Sequence, residues 1–262
     1  MAAPAAGARA GRRVYASDIG STRADRGRRA AFGWAWVDPQ DPVPVAGGAC
    51  IDALARAVAS DLAAGVHVAL GFEAPLFIPV PEVAAGLCRG RPGESNRAFA
   101  APAGASVATL GVHQSAWVLA AVRARLAAAG GALPAAVHWT ADVEAWPPAV
   151  GSVTTLFCWE AFVSGPAHAG ADRSHGGRPG ETGGAGRHVR DAATAVAEFL
   201  AREGDLAAAN AVTAERPLSL LGAAALWAGW SSDLGALRAP ALVVRPGAAY
   251  LGPLQVAGGA AA

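Results

Sequence analysis

Four acidic residues lie at or near the ends of apolar segments that are far apart in the chain. Asp18 is in VYASDIGST, Glu73 in VHVALGFEAPL and Glu160 in TLFCWEAFVSG, and each apolar segment predicts a strand. Asp191, in RHVRDAATAVAEFL, opens a predicted helix. Carboxylates at strand ends converge only where the strands are neighbours in one sheet. Because hard divalent cations take oxygen ligands, the chemistry expected of such a set is metal binding.

A metal-binding carboxylate set of this kind suits the hydrolysis of phosphodiester bonds. Two Mg²⁺ ions about 4 Å apart can activate a water and stabilise charge on the attacking and leaving oxygens. Clustered acids without a cation would repel one another and raise their own pKa values. We therefore expect Asp18, Glu73, Glu160 and Asp191 to be both catalytic and metal-binding residues, with Mg²⁺ or Mn²⁺ as the cofactor.

His188 precedes Asp191 by three residues and shares its helical face. An imidazole there can protonate a leaving oxygen or steer a water molecule, so His188 is a further catalytic candidate. Simpler interpretations stay open for the same residues. Asp18, before Gly20, can be a turn residue, and Asp191 can favour the first turn of its helix through the helix dipole.

Candidate substrate-binding residues follow the first two acids. Arg23 lies in an Arg-rich connection after Asp18, where it can contact a phosphate or belong to a solvated loop. Arg91, Asn96 and Arg97 lie in GRPGESNRAF after Glu73 and are candidates for a substrate groove.

Composition limits the class of protein without deciding its function. The chain has 262 residues and a formal net charge of +1, so a bulk basic field for non-specific DNA binding is excluded. The chain has no Lys, so its 21 Lys and Arg positions are all Arg. The three cysteines are widely spaced without a CxxC pair, and we expect buried thiols in a reducing cytoplasm. Residues 98–122 carry no Asp, Glu, Lys or Arg, but their polar residues favour a buried helix over a membrane span.

The periodicity of apolar residues predicts alternating strands and helices. Predicted strands are 13–19, 30–37, 66–72, 136–143, 153–159 and 240–245, with a short edge strand near 43–45. Predicted helices are 50–64, 106–129, 188–203 and 218–230. An early hairpin followed by alternating strands and helices predicts an α/β fold, with a mixed sheet flanked by helices.

Nothing in the sequence indicates a linker between two domains. We expect one domain over 13–250, with a helical insertion at about 74–131 after the middle strand and a mobile Gly-rich segment at about 164–187. The ends, 1–12 and 251–262, are expected to be flexible tails. The predicted location is the cytoplasm.

Four short motifs together resemble a family of predicted nucleases with a ribonuclease H-like fold, related in layout to RuvC-type resolvases. They are DIGST, GFEAPLFIP, CWEAFVSG and RHVRDAATAVAEF, in the family's order over about residues 13–203. The resemblance implies a ribonuclease H-like mixed sheet, and it places metal-binding acids at Asp18, Glu73, Glu160 and Asp191. Glu73 departs from the Asp that is common in the family and is one methylene longer.

The resemblance implies a Mg²⁺-dependent nuclease or phosphodiesterase that uses a two-metal carboxylate mechanism on DNA or RNA. No membrane partner is expected, and the oligomeric state is not predicted. Two other classes stay open. DIGST also resembles the first phosphate loop of actin-like and sugar-kinase-like nucleotide-binding proteins, although GETGGAGRH is a poor second loop. A catalytically inactive binding module with the same fold is the other alternative.

Overall fold

The structure is a computed structural model, and it describes residues 11–22, 31–38, 41–94, 99–130, 136–149, 151–161 and 185–245. The strands are β1 (Arg12–Asp18), β2 (Gly33–Asp38), β3 (Asp41–Gly48), β4 (His67–Glu73), β5 (Phe77–Pro79), β6 (Val137–Thr140), β7 (Thr154–Ala161), β8 (Pro217–Ser219) and β9 (Val243–Val244). The helices are α1 (Ile51–Ala63), α2 (Pro102–Ala129), α3 (Ala185–Arg202) and α4 (Leu220–Trp227).

The described part of the chain is built around a mixed sheet of seven strands. Six strands follow the order β3-β2-β1-β4-β7-β6, and β9 also pairs with β7. The early strands β1, β2 and β3 are antiparallel neighbours, whereas β4 lies parallel to β1 and β7 parallel to β4. This arrangement confirms the predicted α/β class with a mixed sheet flanked by helices.

Alternating side chains divide the core into two layers. Tyr15, Trp34 and Phe72 point to the layer that contains α1 and α2. Val14 and Phe157 point to the opposite layer, where they pack with α3. Because successive residues of a strand face opposite sides of the sheet, each position along a strand determines which layer its side chain reaches.

Helix α2 is long and apolar enough to cross a membrane by length and composition, over Gly104–Ala129. A core helix of a soluble protein passes the same test. The second half of α2 packs into the core through Val118, Val122 and Leu126, all fully buried. It also contacts α1 and α4.

Several features differ from the sequence predictions. Helix α3 begins at Ala185, so Asp191 lies in its second turn and does not open the helix. The last helix begins at Leu220, because Pro217–Ser219 pair with β5 as a strand and the Ser219 hydroxyl caps the helix by accepting from Gly222 N–H. The last strand is limited to Val243–Val244. The expectation of three buried thiols is wrong for Cys50 and Cys88, which are exposed, whereas Cys158 is buried and its pKa is raised to about 12 by that burial.

Several predicted features lie outside the described residues. They are most of both tails and most of the Gly-rich segment that was predicted at about 164–187.

Candidate functional site

Asp18 is the last residue of β1, and the sheet places an acid of the neighbouring strand β4 beside it. Asp18 pairs in register with Glu73, the last residue of β4. Paired residues of parallel neighbours face the same side of a sheet, with the strands about 4.8 Å apart. Asp18 is buried and Glu73 partly buried. These two predicted acids therefore share one face, on the side of α3.

Helix α3 brings His188 and Asp191 to the same end of β1. The helix packs against β1 and β2, and the β2 residue opposite Asp18 is Gly33. A Cβ at Gly33 would lie 2.3 Å from the carbonyl carbon of His188, so any larger residue would displace the helix backbone. The absence of a side chain at Gly33 is what lets this turn of α3 approach the strand.

The side chains of Asp18, His188 and Asp191 form a compact cluster. One candidate ligand atom from each residue lies within 4.8 Å of the other two. Nδ1 of His188 makes a short hydrogen bond with Oδ2 of Asp18. Asp191 is about a quarter exposed, and its Oδ2 lies 3.7 Å from Nε of Arg187. The cluster is therefore reachable from solvent along the first turns of α3.

The electrostatic setting of His188 favours its protonated form. The hydrogen bond to Asp18 raises the pKa of His188 above its ordinary value, while partial burial opposes that rise. The charges of Asp18 and Asp191 raise the pKa of His188 further, and Arg187 acts in the opposite sense. A cation bound at the cluster would compete with this proton, since both are stabilised by the same two carboxylates.

The donor set fits a small divalent cation. Two carboxylates supply hard oxygen ligands, which Mg²⁺ and Mn²⁺ prefer, and the imidazole is a donor that Mn²⁺ also accepts. The mutual spacing of the three groups allows them to converge on one ion. Glu73 enters the same region through its register with Asp18.

Glu160 lies on the other face of the sheet. It pairs with Phe72, not with Glu73, and Phe72 points into the layer of α1 and α2. The offset of one residue relative to Glu73 reverses the direction of the side chain. The structure therefore brings together Asp18, His188 and Asp191, with Glu73 beside them, and it places Glu160 apart from this group.

The carboxylate of Glu160 is fully engaged by protein groups. Arg91 donates Nη2–H to Oε1 at 2.7 Å and Nη1–H to Oε2 at 2.8 Å, and the backbone N–H of Leu76 donates to Oε2 at 2.9 Å. Complete burial raises the pKa of Glu160, and the charge and hydrogen bonds of Arg91 oppose that shift.

Arg91, predicted to bind substrate, is instead a buried partner of two acids. Its side chain also donates to Glu94, and its guanidinium lies 4.6 Å from the ring centre of Phe77. Burial works to lower the pKa of Arg91, but the two carboxylates outweigh it and the pKa is raised. Arg91 thus fixes the loop before α2 to the end of β7.

The remaining predicted substrate-binding residues, Arg23, Asn96 and Arg97, lie outside the described residues. Sequence reasoning did not identify Gly33 or Glu94. The spacing of Arg91 and Glu94, three residues apart in GRPGES, was a usable signal for an ion pair. Gly33 had no comparable signal, because its importance depends on a helix 155 positions later in the chain.

No protein family, curated protein or solved structure compared with this chain matches it.

Proposed function

We propose that this protein is a divalent-metal-dependent nuclease or phosphodiesterase that acts on nucleic acid. The observation that carries the proposal is the cluster of Asp18, His188 and Asp191 at the end of a central strand. Two carboxylates and an imidazole within 4.8 Å of one another form a donor set suited to Mg²⁺ or Mn²⁺.

The sheet supports the ribonuclease H-like assignment that the four motifs imply. An antiparallel group of early strands is followed by strands parallel to β1, and an acid ends β1 at the centre of that sheet. In open sheets with helices on both faces, ligands bind at the carboxyl ends of the strands, which is where Asp18 and Glu73 lie.

Asp18 and Asp191 would hold the metal, and Glu73 lies at the paired position of the neighbouring strand. A divalent ion in such a site lowers the pKa of bound water and neutralises charge that develops on a phosphate. Asp18 has a second task, because its hydrogen bond to Nδ1 orients the imidazole of His188.

His188 is proposed to hold a proton and deliver it to the leaving oxygen. Its raised pKa favours the imidazolium, and part of its side chain remains exposed to an incoming substrate. Direct metal binding is the alternative role for His188. The conservative variant His188→Gln distinguishes the two roles, because an amide cannot transfer a proton at neutral pH but can offer an oxygen ligand.

Contact with the nucleic acid is proposed to be local, since the net charge of the chain is +1. Arg187 and Arg190 are exposed on the first turns of α3, on either side of His188 and next to Asp191. Guanidinium groups suit bidentate contact with phosphates. These two residues can bring a phosphodiester to the acidic cluster.

The position of Glu160 argues against this residue as a ligand of a second metal ion. A second ion held by Glu160 would need the carboxylate to leave Arg91 and Leu76 N–H and to reach the opposite face of the sheet. The proposal therefore places one ion at Asp18 and Asp191, beside His188. A second ion would depend on Glu73 and on the substrate phosphate.

The test is cleavage of labelled single-stranded DNA, duplex DNA and RNA in Mn²⁺ or Mg²⁺, with EDTA as the metal-free condition. Asp18→Asn should abolish cleavage, a loss of at least about 100-fold for removal of a charged ligand. Asp233→Asn is the matched control, because Asp233 is exposed and Asn can cap Gly235 N–H equally well. Wild-type protein that cleaves none of the three substrates in either metal would refute the proposal.

A further inference from the structure

Gln114 of α2 holds the short segment, residues 19–21, through which the chain leaves β1 after Asp18. Nε2 of Gln114 donates to the carbonyl oxygen of Gly20 at 2.5 Å. Because a carbonyl oxygen can only accept, the amide nitrogen must be the atom that faces Gly20. The bond joins residues 94 positions apart in the chain. It therefore ties this segment, called here the Asp18 turn, to a helix of the layer opposite α3.

The Asp18 turn is closely packed on its other sides. A Cβ at Gly20 would lie 1.9 Å from the carbonyl oxygen of Ala31, and Ala31 N–H donates to the carbonyl oxygen of Ser21 at 2.7 Å. Ile19 is buried in the core. Gly20 is two residues from Asp18, a backbone span of at most about 7 Å. A shift of Gly20 therefore changes the position of the Asp18 carboxylate.

Helix α2 is fixed independently of this bond. Its second half is anchored in the core. Gly111 precedes Gln114 by three residues and shares its helical face. A Cβ at Gly111 would lie 2.2 Å from the Cβ of Ala74, the residue that follows Glu73. One face of α2 thus contacts the chain directly after both acid-bearing strands, β1 and β4, and the Gln114 bond positions the turn relative to that face.

The amide of Gln114 is a costly group for this position if packing is its only role. The residue is 8% exposed, and within the described residues Oε1 is buried without a hydrogen-bond partner. A buried acceptor without a partner costs free energy, so an apolar side chain of similar length would serve the packing at least as well. What the amide contributes is the bond to Gly20.

We propose that Gln114 is a positioning residue of the metal site, which acts by holding the Asp18 turn against α2. It supplies no ligand and acts through the backbone between Gly20 and Asp18. The inference rests on the proposed function, since it requires that Asp18 binds a divalent cation. Removal of a group that orients a metal ligand typically weakens metal binding by about 10- to 100-fold.

The test is calorimetric titration with Mn²⁺ together with thermal unfolding. Gln114→Met should weaken Mn²⁺ binding at least about tenfold, the lower end of that range. Its unfolding midpoint should stay within about 3 °C of the wild type, because Met has a similar length and lacks the buried acceptor. Gln114→Asn keeps the amide but is one methylene shorter, so it should lose the bond to Gly20 and the same affinity.

Ser115→Ala is the matched control, because Ser115 is buried on the same helix and its hydroxyl donates to Val112 O within α2. Equal Mn²⁺ affinities of Gln114→Met and Ser115→Ala, with weakened binding by Asp18→Asn, would overturn the inference and keep the proposed metal site. Full affinity in Gln114→Asn, with a loss in Gln114→Met only alongside a lower unfolding midpoint, would also overturn it. No Mn²⁺ binding by the wild type would refute the proposed function and the inference with it.

Discussion

Arg91 and Glu160 form a bidentate ion pair in the protein interior, with Nη2–Oε1 and Nη1–Oε2 distances of 2.7 and 2.8 Å. Neither side chain is exposed to solvent. The pair joins the loop before α2 to the end of β7, on the sheet face opposite to the acids that face α3. A predicted metal ligand and a predicted substrate contact are thus each other's partners.

The first prediction concerns the stability that this pair provides. Arg91→Met should lower the free energy of unfolding by about 3–5 kcal/mol, because it leaves a buried carboxylate without its counter-ion. Arg91→Met/Glu160→Gln should recover part of the loss, since the Gln oxygen can still accept from Leu76 N–H. Recovery stays incomplete because Glu94 also loses Arg91.

Chemical denaturation of the wild type, both single variants and the double variant measures the coupling between the two residues. An Arg91→Met variant within about 0.5 kcal/mol of the wild type, the range of ordinary surface changes, would show that the pair is not buried in solution.

The second prediction concerns Gly33, which permits the close approach of α3 to β2. Gly33→Ala should destabilise the protein by about 1–3 kcal/mol, because its Cβ would meet the backbone of His188 at 2.3 Å. It should also weaken Mn²⁺ binding, since His188 and Asp191 move with the helix. Thermal unfolding and calorimetric titration with Mn²⁺ measure the two effects.

Gly204→Ala is the matched control, because a Cβ there has no atom within 4 Å. If Gly33→Ala and Gly204→Ala have the same stability and the same Mn²⁺ affinity, then α3 does not lie against β2 as described.

The third prediction concerns acid sensitivity at His67. Nδ1 of this buried imidazole accepts a hydrogen bond from Thr155 N–H at 3.1 Å, which requires the neutral form. Burial, with a smaller effect from Arg12, lowers the pKa of His67 from 6.5. The unfolded chain therefore binds more protons than the folded protein between that value and the lowered pKa. The contribution of neutral His67 to the free energy of unfolding is fully present above about pH 6.5, and it is lost as the pH falls from there through the lowered pKa.

His67→Asn should reduce the loss of unfolding free energy at acid pH, because the Asn oxygen can accept from Thr155 N–H without titrating. The free energy of unfolding should be measured between pH 4.5 and 7.5, where one proton changes it by at most about 1.4 kcal/mol per pH unit. His138→Asn, at an exposed position, is the control. If the free energy of unfolding falls equally steeply with decreasing pH in the wild type and in His67→Asn, the assigned hydrogen bond is contradicted.

Periodicity was sufficient to predict most of the sheet. The alternation of apolar residues along 30–37 predicts one face for Phe32, Trp34 and Trp36, and all three pack into the layer of α1 and α2. The predicted edge position of the strand near Val43–Val45 is also confirmed, because β3 is the outer strand of the sheet that the described residues form. These features depend on local patterns that one segment contains by itself.

The face on which each acid lies could not be predicted in the same way. Asp18 and Glu73 share a face because they are paired, whereas Glu160 is paired one position earlier on β4. Register between strands depends on the packing of the whole sheet, and a shift of one residue reverses every side chain. The residue type at 160 suggested a ligand, but its partner at position 91 was decided by the tertiary fold.

The most direct test of the account is the position of a bound metal. Anomalous scattering from a Mn²⁺-soaked crystal should show a peak within about 2.0–2.5 Å of carboxylate oxygens of both Asp18 and Asp191. The same soak of an Asp18→Asn crystal should lose that peak. A peak at Glu160, or no peak beside Asp18 and Asp191 at saturating Mn²⁺, would contradict the proposed metal site.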